Sequence, residues 1–109
     1  MSHHQYAQCI EACYACAAAC DHCATACLSE ANVNKMADCI RSDLDCAQIC
    51  RMAASAMARA SDFSQDICRL CADICQKCGD ICRTHQHDHC QECAEACYAC
   101  AAECRKMAA

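Results

Sequence analysis

Cysteines are the residues of this sequence that could do chemistry, because 19 of its 109 residues are thiols. Thiolates are soft donors that bind Cu(I), zinc and iron–sulfur clusters. Because 19 is odd, complete pairing into disulfides within one chain is impossible. In chain order the thiols are Cys9, Cys13, Cys16, Cys20, Cys23, Cys27, Cys39, Cys46, Cys50, Cys68, Cys71, Cys75, Cys78, Cys82, Cys90, Cys93, Cys97, Cys100 and Cys104.

The spacing of these cysteines predicts α-helices. Three groups advance by alternating steps of three and four residues, which places their side chains on the stripe of a helix that faces a neighbouring helix. The second group is sparser, and its stripe is completed as Met36, Cys39, Asp43, Cys46, Cys50, Ala53 and Met57. Every cysteine therefore lies on a predicted core-facing stripe.

The chain has no proline and one glycine, so an all-β fold would lack turn residues. Polar breaks separate four helical stretches, which we place near 3–28, 33–59, 62–83 and 87–107 of a single domain spanning 1–109. The short connections favour an all-α, antiparallel up-down-up-down four-helix bundle with a Cys-lined core. An internal repeat agrees with this fold: the segment 11–20 recurs as 95–104 with one difference.

Composition argues against several classes of partner. The formal charge of −5 and the absence of a basic cluster disfavour nucleic acid. The longest apolar run, from Ala12 to Cys20, is too short to cross a membrane. No signal-peptide pattern is visible at the N-terminus, so we expect a cytoplasmic protein whose thiols serve metal or redox chemistry rather than structural disulfides.

Two structural explanations for the thiols are weaker than metal binding. A bundle built only for stability would carry Leu or Ile on these stripes, since each thiol there sacrifices roughly 1 kcal/mol of apolar burial. Disulfides between neighbours on one helix would be strained, because their Cβ atoms lie ~5–6 Å apart and a bridge needs ~3.5–4.5 Å.

Softness and geometry favour Cu(I) as the bound metal. Structural zinc is held by isolated sets of four ligands and iron–sulfur clusters by looping Cys runs, whereas Cu(I) accepts two or three thiolates from an unbroken helix. Charge neutrality in the core predicts a loading that approaches one ion per cysteine. We expect storage rather than catalysis. Two alternatives remain open: thiolate detoxification of zinc or cadmium in the manner of metallothionein, and, less favoured, a thiol-redox protein.

The antiparallel topology brings two of the connections to one end of the bundle, where we expect copper to enter. The stripe of the third helix continues by the same steps from Cys82 to His85 and His89, and we predict these two histidines as ligands or gates there. Asp43 and Met36 are weaker candidates. Nitrogen, oxygen and thioether donors hold Cu(I) less firmly than thiolate, which suits capture before transfer inward. His87 lies in the same loop and could equally be solvated. The opposite end is predicted to be an apolar plug of Tyr6, Ala53, Met57, Phe63 and Met107.

Over its whole length, the sequence resembles the cytosolic copper storage proteins of bacteria in its CxxxC and CxxC stripes and its His-bearing loop. The resemblance implies a homotetramer of four-helix bundles, each storing many Cu(I) ions. It leaves the copper donor and acceptor open. The second helix, with three cysteines, is expected to be the least loaded.

Overall fold

Four α-helices make up the fold in the computed structural model, which describes residues 6–108. They are α1 (Ala7–Cys27), α2 (Ala37–Ala58), α3 (Ser64–Arg83) and α4 (Asp88–Ala108). Helices α1 and α3 each pack against both α2 and α4, which confirms the predicted up-down-up-down bundle. Within the described residues, none of the helices combines the length and apolar character that a membrane span requires.

The helices begin and end close to the predicted positions, with one larger difference. The second helix, expected from residue 33, starts at Ala37, and Val33–Met36 form a 3-10 turn instead. Asn32 and Asn34 explain the delay, since their short polar side chains compete with helical backbone hydrogen bonds. Residues 3–5 of the predicted first helix lie outside the described range.

The connection between α2 and α3 is a helix-terminating turn built without glycine. Ala60 has a φ of 53°, and its N–H bonds to the carbonyl of Met57 while that of Ser61 bonds to the carbonyl of Ala56. These two bonds define the Schellman arrangement that satisfies the last carbonyls of a helix. Ser61 also accepts a bond from the Phe63 N–H, so α3 begins at Ser64 rather than at residue 62.

The core is made almost entirely of thiols and small side chains. Alanines on every helix are buried beside the cysteine stripes, and isoleucines of α1, α2 and α3 pack half-buried at the margin. Small residues let the helices approach closely, so the four stripes meet at the axis of the bundle. Hydrocarbon packing therefore surrounds the sulfur atoms rather than replacing them.

Gly79 permits the close approach of α3 and α4. The ring of Tyr98 covers it, so that a Cβ at position 79 would lie 2.7 Å from Tyr98 Cε1. The Tyr98 hydroxyl donates to Asp80 at 2.6 Å. Tyr14, at the matching position of the internal repeat, is exposed. The two repeats thus share a cysteine stripe but not an outer surface.

Candidate metal centre

All 19 thiols are free and buried inside the bundle, and we call them the thiol column. Each is at most 1% exposed, because the stripes of all four helices point to a common axis. Neighbouring sulfur atoms lie 3.3 to 4.0 Å apart, from the Cys9–Cys104 pair at one end to the Cys27–Cys39 pair at the other. Cys68 is buried beside Cys9 and Cys104 but makes none of these closest contacts.

The sulfur atoms form overlapping groups rather than separate sites. Cys16, Cys46, Cys50 and Cys75 are close enough to hold one ion, and Cys16 and Cys46 also belong to a second group with Cys20 and Cys97. Cys46 and Cys50 each contact four other thiols. A thiolate shared in this way would bridge two ions, which suits a cluster of monovalent ions better than closed four-ligand sites.

No cationic side chain neutralises the thiol column within residues 6–108. The buried polar residues there are Asp43 and Ser64, and every described Lys and Arg is exposed. Burial raises the pKa of the Cys27 and Cys90 thiols, which keeps them protonated in the absence of metal. Bound cations would have to supply the charge that makes these thiolates stable in the core.

Asp43 lies within the thiol column at the position where the α2 stripe lacks a cysteine. Its Oδ1 accepts hydrogen bonds from Cys78, Cys82 and Cys93 at 3.2 to 3.3 Å, and Oδ2 lies 3.8 Å from Cys39 Sγ. Burial, with the neighbouring thiols, raises the pKa of Asp43 to about 12. Asp43, which the sequence predicts as a weaker ligand, therefore lies among possible metal ligands. Its carboxyl group is protonated in the metal-free protein.

His89 joins the thiol column at the end where α4 begins. Its Nδ1 lies 3.5 Å from the sulfur atoms of both Cys23 and Cys90 and 4.0 Å from that of Cys27. The side chain is 14% exposed, so it stands between the buried thiols and solvent. Burial lowers the pKa of His89, but hydrogen bonds to Cys23 and Glu30 outweigh it and raise the pKa above its ordinary value.

Glu30 is a component of this end that the sequence analysis missed. Its Oε2 lies 2.7 Å from Nε2 of His89 and 3.3 Å from Nδ1 of His87. The two imidazole rings stack with their centroids 5.4 Å apart and nearly parallel. We call Glu30, His87 and His89 the histidine end. Glu30 belongs to the loop after α1, so no helical spacing related it to the cysteines.

The other two predicted candidates differ in their surroundings. Met36 is buried in the core cluster at the start of α2, as its place on the stripe required. His85 is only half-buried, and its imidazole makes no hydrogen bond in the described structure. The expected extension of the α3 stripe to His85 and His89 is wrong, since α3 ends at Arg83 and His89 belongs to the first turn of α4.

The opposite end of the bundle is closed by fewer residues than predicted. Ala53, Met57 and Tyr6 are buried there, and Met107 is half-buried against the core. Phe63 is 67% exposed and takes no part, because it precedes α3 in the turn and points away from the axis. Beyond Cys50, the α2 stripe carries only apolar side chains, so the thiol column stops short of this end on that helix.

The comparisons with known proteins agree with this geometry. The family model described as copper storage protein matches residues 2–109. The cysteine-rich protein YhjQ of Bacillus subtilis strain 168 is 54% identical over 106 residues, covering 96% of this chain and 98% of its own.

Two solved structures have the same fold and many of the same residues. The Cu(I)-bound copper storage protein BsCsp3 is 54% identical with a TM-score of 0.89, covering 93% of this chain and 95% of its own. The copper storage protein Ccsp of Streptomyces lividans, loaded with 10 copper equivalents, is 41% identical with a TM-score of 0.91, covering 94% and 83%. With a family model that spans nearly its whole length, the chain belongs to the copper storage protein family.

Proposed function

We propose that this protein stores Cu(I) in the thiol column, with the 19 cysteines as ligands. The observation that carries the proposal is the burial of every free thiol along one axis of the bundle, with the sulfur atoms in overlapping groups. A store differs from an enzyme in needing many equivalent sites rather than one reactive group with an open position. The thiol column meets that need along the length of four helices.

Copper is favoured over zinc and cadmium by the way the thiols are shared. Isolated zinc sites close with four ligands, whereas the groups around Cys16 and Cys46 share members and favour bridging. The Cu(I)-bound state of BsCsp3 and the copper-loaded state of Ccsp support the same metal. Monovalent ions bridged by thiolates also bring the core near neutrality.

The loading approaches one ion per cysteine. A single Cu(I) between two thiolates leaves one negative charge in a core to which residues 6–108 contribute no cationic side chain, and that charge is costly at low dielectric. Further ions on bridging thiolates remove the excess charge, so partly filled states are less favourable than nearly filled ones. We expect saturation at a value close to the count of cysteines.

Copper enters at the histidine end. His89 is the partly exposed group that touches three thiols there, while Ala53, Met57 and Tyr6 close the opposite end. Imidazole holds Cu(I) more weakly than thiolate, which allows capture and then transfer inward. Asp43 and Met36 lie deeper, where they would act as further weak ligands during transfer.

The assembly and location follow the family. A homologue from Streptomyces lividans is named a cytosolic copper storage protein, and we place this protein in the cytoplasm as well. The family resemblance implies a homotetramer, and Tyr14, Leu44, Met52 and Leu70, each about half exposed, leave apolar surface on the outer faces for contacts between subunits. Light scattering after size-exclusion chromatography measures the subunit number, and a monomer would contradict this part of the proposal.

Anaerobic titration of the reduced protein with Cu(I), against a competing chelator, tests the storage function. Elemental analysis of the saturated protein should give close to one copper per cysteine, and excess Zn(II) should not displace it. Saturation after two or three equivalents would contradict storage. Zinc replacing copper stoichiometrically would support detoxification of divalent metals instead.

A pair of histidine variants tests where copper enters. His89→Ala should slow Cu(I) uptake without changing the final capacity. The variant lacks the partly exposed imidazole that contacts Cys23, Cys27 and Cys90 and could pass copper to them. His85→Ala serves as the matched control, since His85 is also half-buried at this end but touches no thiol. Equal uptake rates in the two variants and the wild type would remove the histidine end from the route.

A further inference from the structure

Glu30 contacts two histidines through a single carboxylate oxygen. Its Oε2 faces Nε2 of His89 at 2.7 Å and Nδ1 of His87 at 3.3 Å. The His89 contact is a hydrogen bond, whereas the longer His87 contact is within ion-pair distance but lacks hydrogen-bond geometry. Because a carboxylate only accepts hydrogen bonds, Nε2 of His89 must carry a proton.

The chemistry of neutral imidazole then decides which nitrogen of His89 is free. One ring nitrogen carries a proton and the other a lone pair. In His89 the proton is on Nε2, and the lone pair on Nδ1 faces Cys23 and Cys90 at 3.5 Å. His87 stacks on this ring and is the more exposed of the two, with 41% of its side chain open to solvent.

We propose that Glu30 is a positioning residue for copper uptake, which holds His89 in the tautomer with a proton on Nε2. His89 then offers Nδ1 to Cu(I) on the side of the thiols, and copper passes from this nitrogen to Cys23, Cys27 and Cys90. This inference rests on the proposed storage of Cu(I) and on its uptake at the histidine end.

A carboxylate that accepts a hydrogen bond from one ring nitrogen commonly fixes the orientation of a metal-binding histidine. Its removal typically costs 10- to 100-fold in metal affinity or activity, because the ring turns away or presents the protonated nitrogen. Glu30→Ala should accordingly slow Cu(I) uptake by about tenfold or more. The final capacity should not change, since Glu30 is not among the buried thiols.

The tautomers can be observed directly in the reduced metal-free protein. Long-range ¹H–¹⁵N correlation spectra at about pH 8.5, where an ordinary imidazole is neutral, distinguish a protonated Nδ1 from a protonated Nε2. We expect His89 to carry its proton on Nε2 in the wild type and in Glu30→Gln, whose amide oxygen still accepts hydrogen bonds. In Glu30→Ala, His89 should move toward the tautomer mixture of His22, which is exposed.

Three variants separate positioning from simple attraction of a cation. Glu30→Gln should keep most of the uptake rate, since it removes the charge but retains an acceptor. Glu30→Ala should take up Cu(I) more slowly and should also lose the preference of His89 for a proton on Nε2. Glu92→Ala removes an exposed carboxylate from α4 near the same end and should resemble the wild type. Circular dichroism and thermal unfolding check that each variant folds.

The outcomes also distinguish this inference from the storage function. If the tautomer of His89 is unchanged in Glu30→Ala, or if this variant takes up Cu(I) as fast as the wild type, Glu30 has no positioning role, even when the copper capacity is full. Equal slowing by Glu30→Gln and Glu92→Ala would reduce Glu30 to a source of charge and overturn it as well. A wild type that binds only a few copper ions would instead contradict storage itself.

Discussion

The Sγ atom of Cys93 lies 3.3 Å from Oδ1 of Asp43, in the middle of a core otherwise lined by thiols. The same oxygen accepts from Cys78 and Cys82, so one carboxyl group joins α2 to both helices on the other side of the bundle. Such a group is stable in this core only while it is neutral, because no cationic side chain within the described residues compensates its charge.

The raised pKa of Asp43 predicts how the stability of the metal-free protein depends on pH. The folded value is about 12, whereas an unfolded aspartate titrates near ~3.9. Below about pH 4 the Asp43 carboxyl group is protonated in both the folded and the unfolded protein, so its contribution to stability is fully present. Its contribution is lost as the pH rises from there toward the folded value, by at most about 1.4 kcal/mol per pH unit.

Asp43→Asn isolates this effect, since the amide does not titrate. The free energy of unfolding of the variant should exceed that of the wild type by an amount that grows by at least about 1 kcal/mol between pH 5 and pH 7. Urea unfolding of the reduced metal-free proteins measures it. The matched control is Asp45→Asn, an exposed change on the same helix. A difference that stays constant with pH would contradict a neutral Asp43.

The ring of Tyr98 covers Gly79, and this contact predicts how tightly α4 packs on α3. Gly79→Ala would place a Cβ 2.7 Å from Tyr98 Cε1, so the ring must move away and strain its hydrogen bond to Asp80. We expect a loss of about 1–3 kcal/mol in the free energy of unfolding. In a Tyr98→Ala background the same change should instead stabilise by up to ~1 kcal/mol, because alanine is the better helix former.

Chemical unfolding of the four proteins of this double-mutant cycle measures both values. Tyr14→Ala provides the reference for removing a repeat tyrosine that is about half exposed and does not cover a glycine. If Gly79→Ala has the same effect with and without Tyr98, the close contact does not decide the packing of α3 on α4.

The thiol column was predictable from sequence because its spacing is periodic. Steps of three and four residues fix the face of a helix whatever its neighbours are, so each of the 19 cysteines is buried as expected. Asp43 and Met36 followed from the same rule, since they occupy positions of the α2 stripe. Local periodicity was sufficient wherever the ligand lies within a helix.

The histidine end was only partly predictable because it depends on where helices stop. The sequence analysis assigns His85 and His89 to an extension of the α3 stripe. However, α3 ends at Arg83, so that His85 lies in the connection between the helices and His89 lies in α4. Glu30 reaches His89 from a different loop, 59 residues away in the chain. Such a contact is set by the docking of two turns, and neither turn carries a repeating pattern.

Two buried cysteines give a test of thiolate sharing. Cys46 contacts Cys16, Cys50, Cys75 and Cys97 at 3.6 to 4.0 Å, whereas Cys68 lies near the end of the thiol column and interacts with Cys9 and Cys104. Both side chains are fully buried, so replacing either with serine buries one hydroxyl at a similar cost. Serine oxygen is a hard donor that binds Cu(I) poorly, which removes one ligand in each variant.

The position of the lost ligand should decide the loss of copper. Cys46→Ser should lower the saturated content by two or more ions per chain, because Cys46 belongs to two overlapping groups of four thiols. Cys68→Ser should lower it by one ion at most. Elemental analysis after anaerobic saturation and gel filtration measures both, with circular dichroism to confirm folding. Equal losses of one ion would mean that each thiolate serves a single copper, since only sharing gives Cys46 the larger effect.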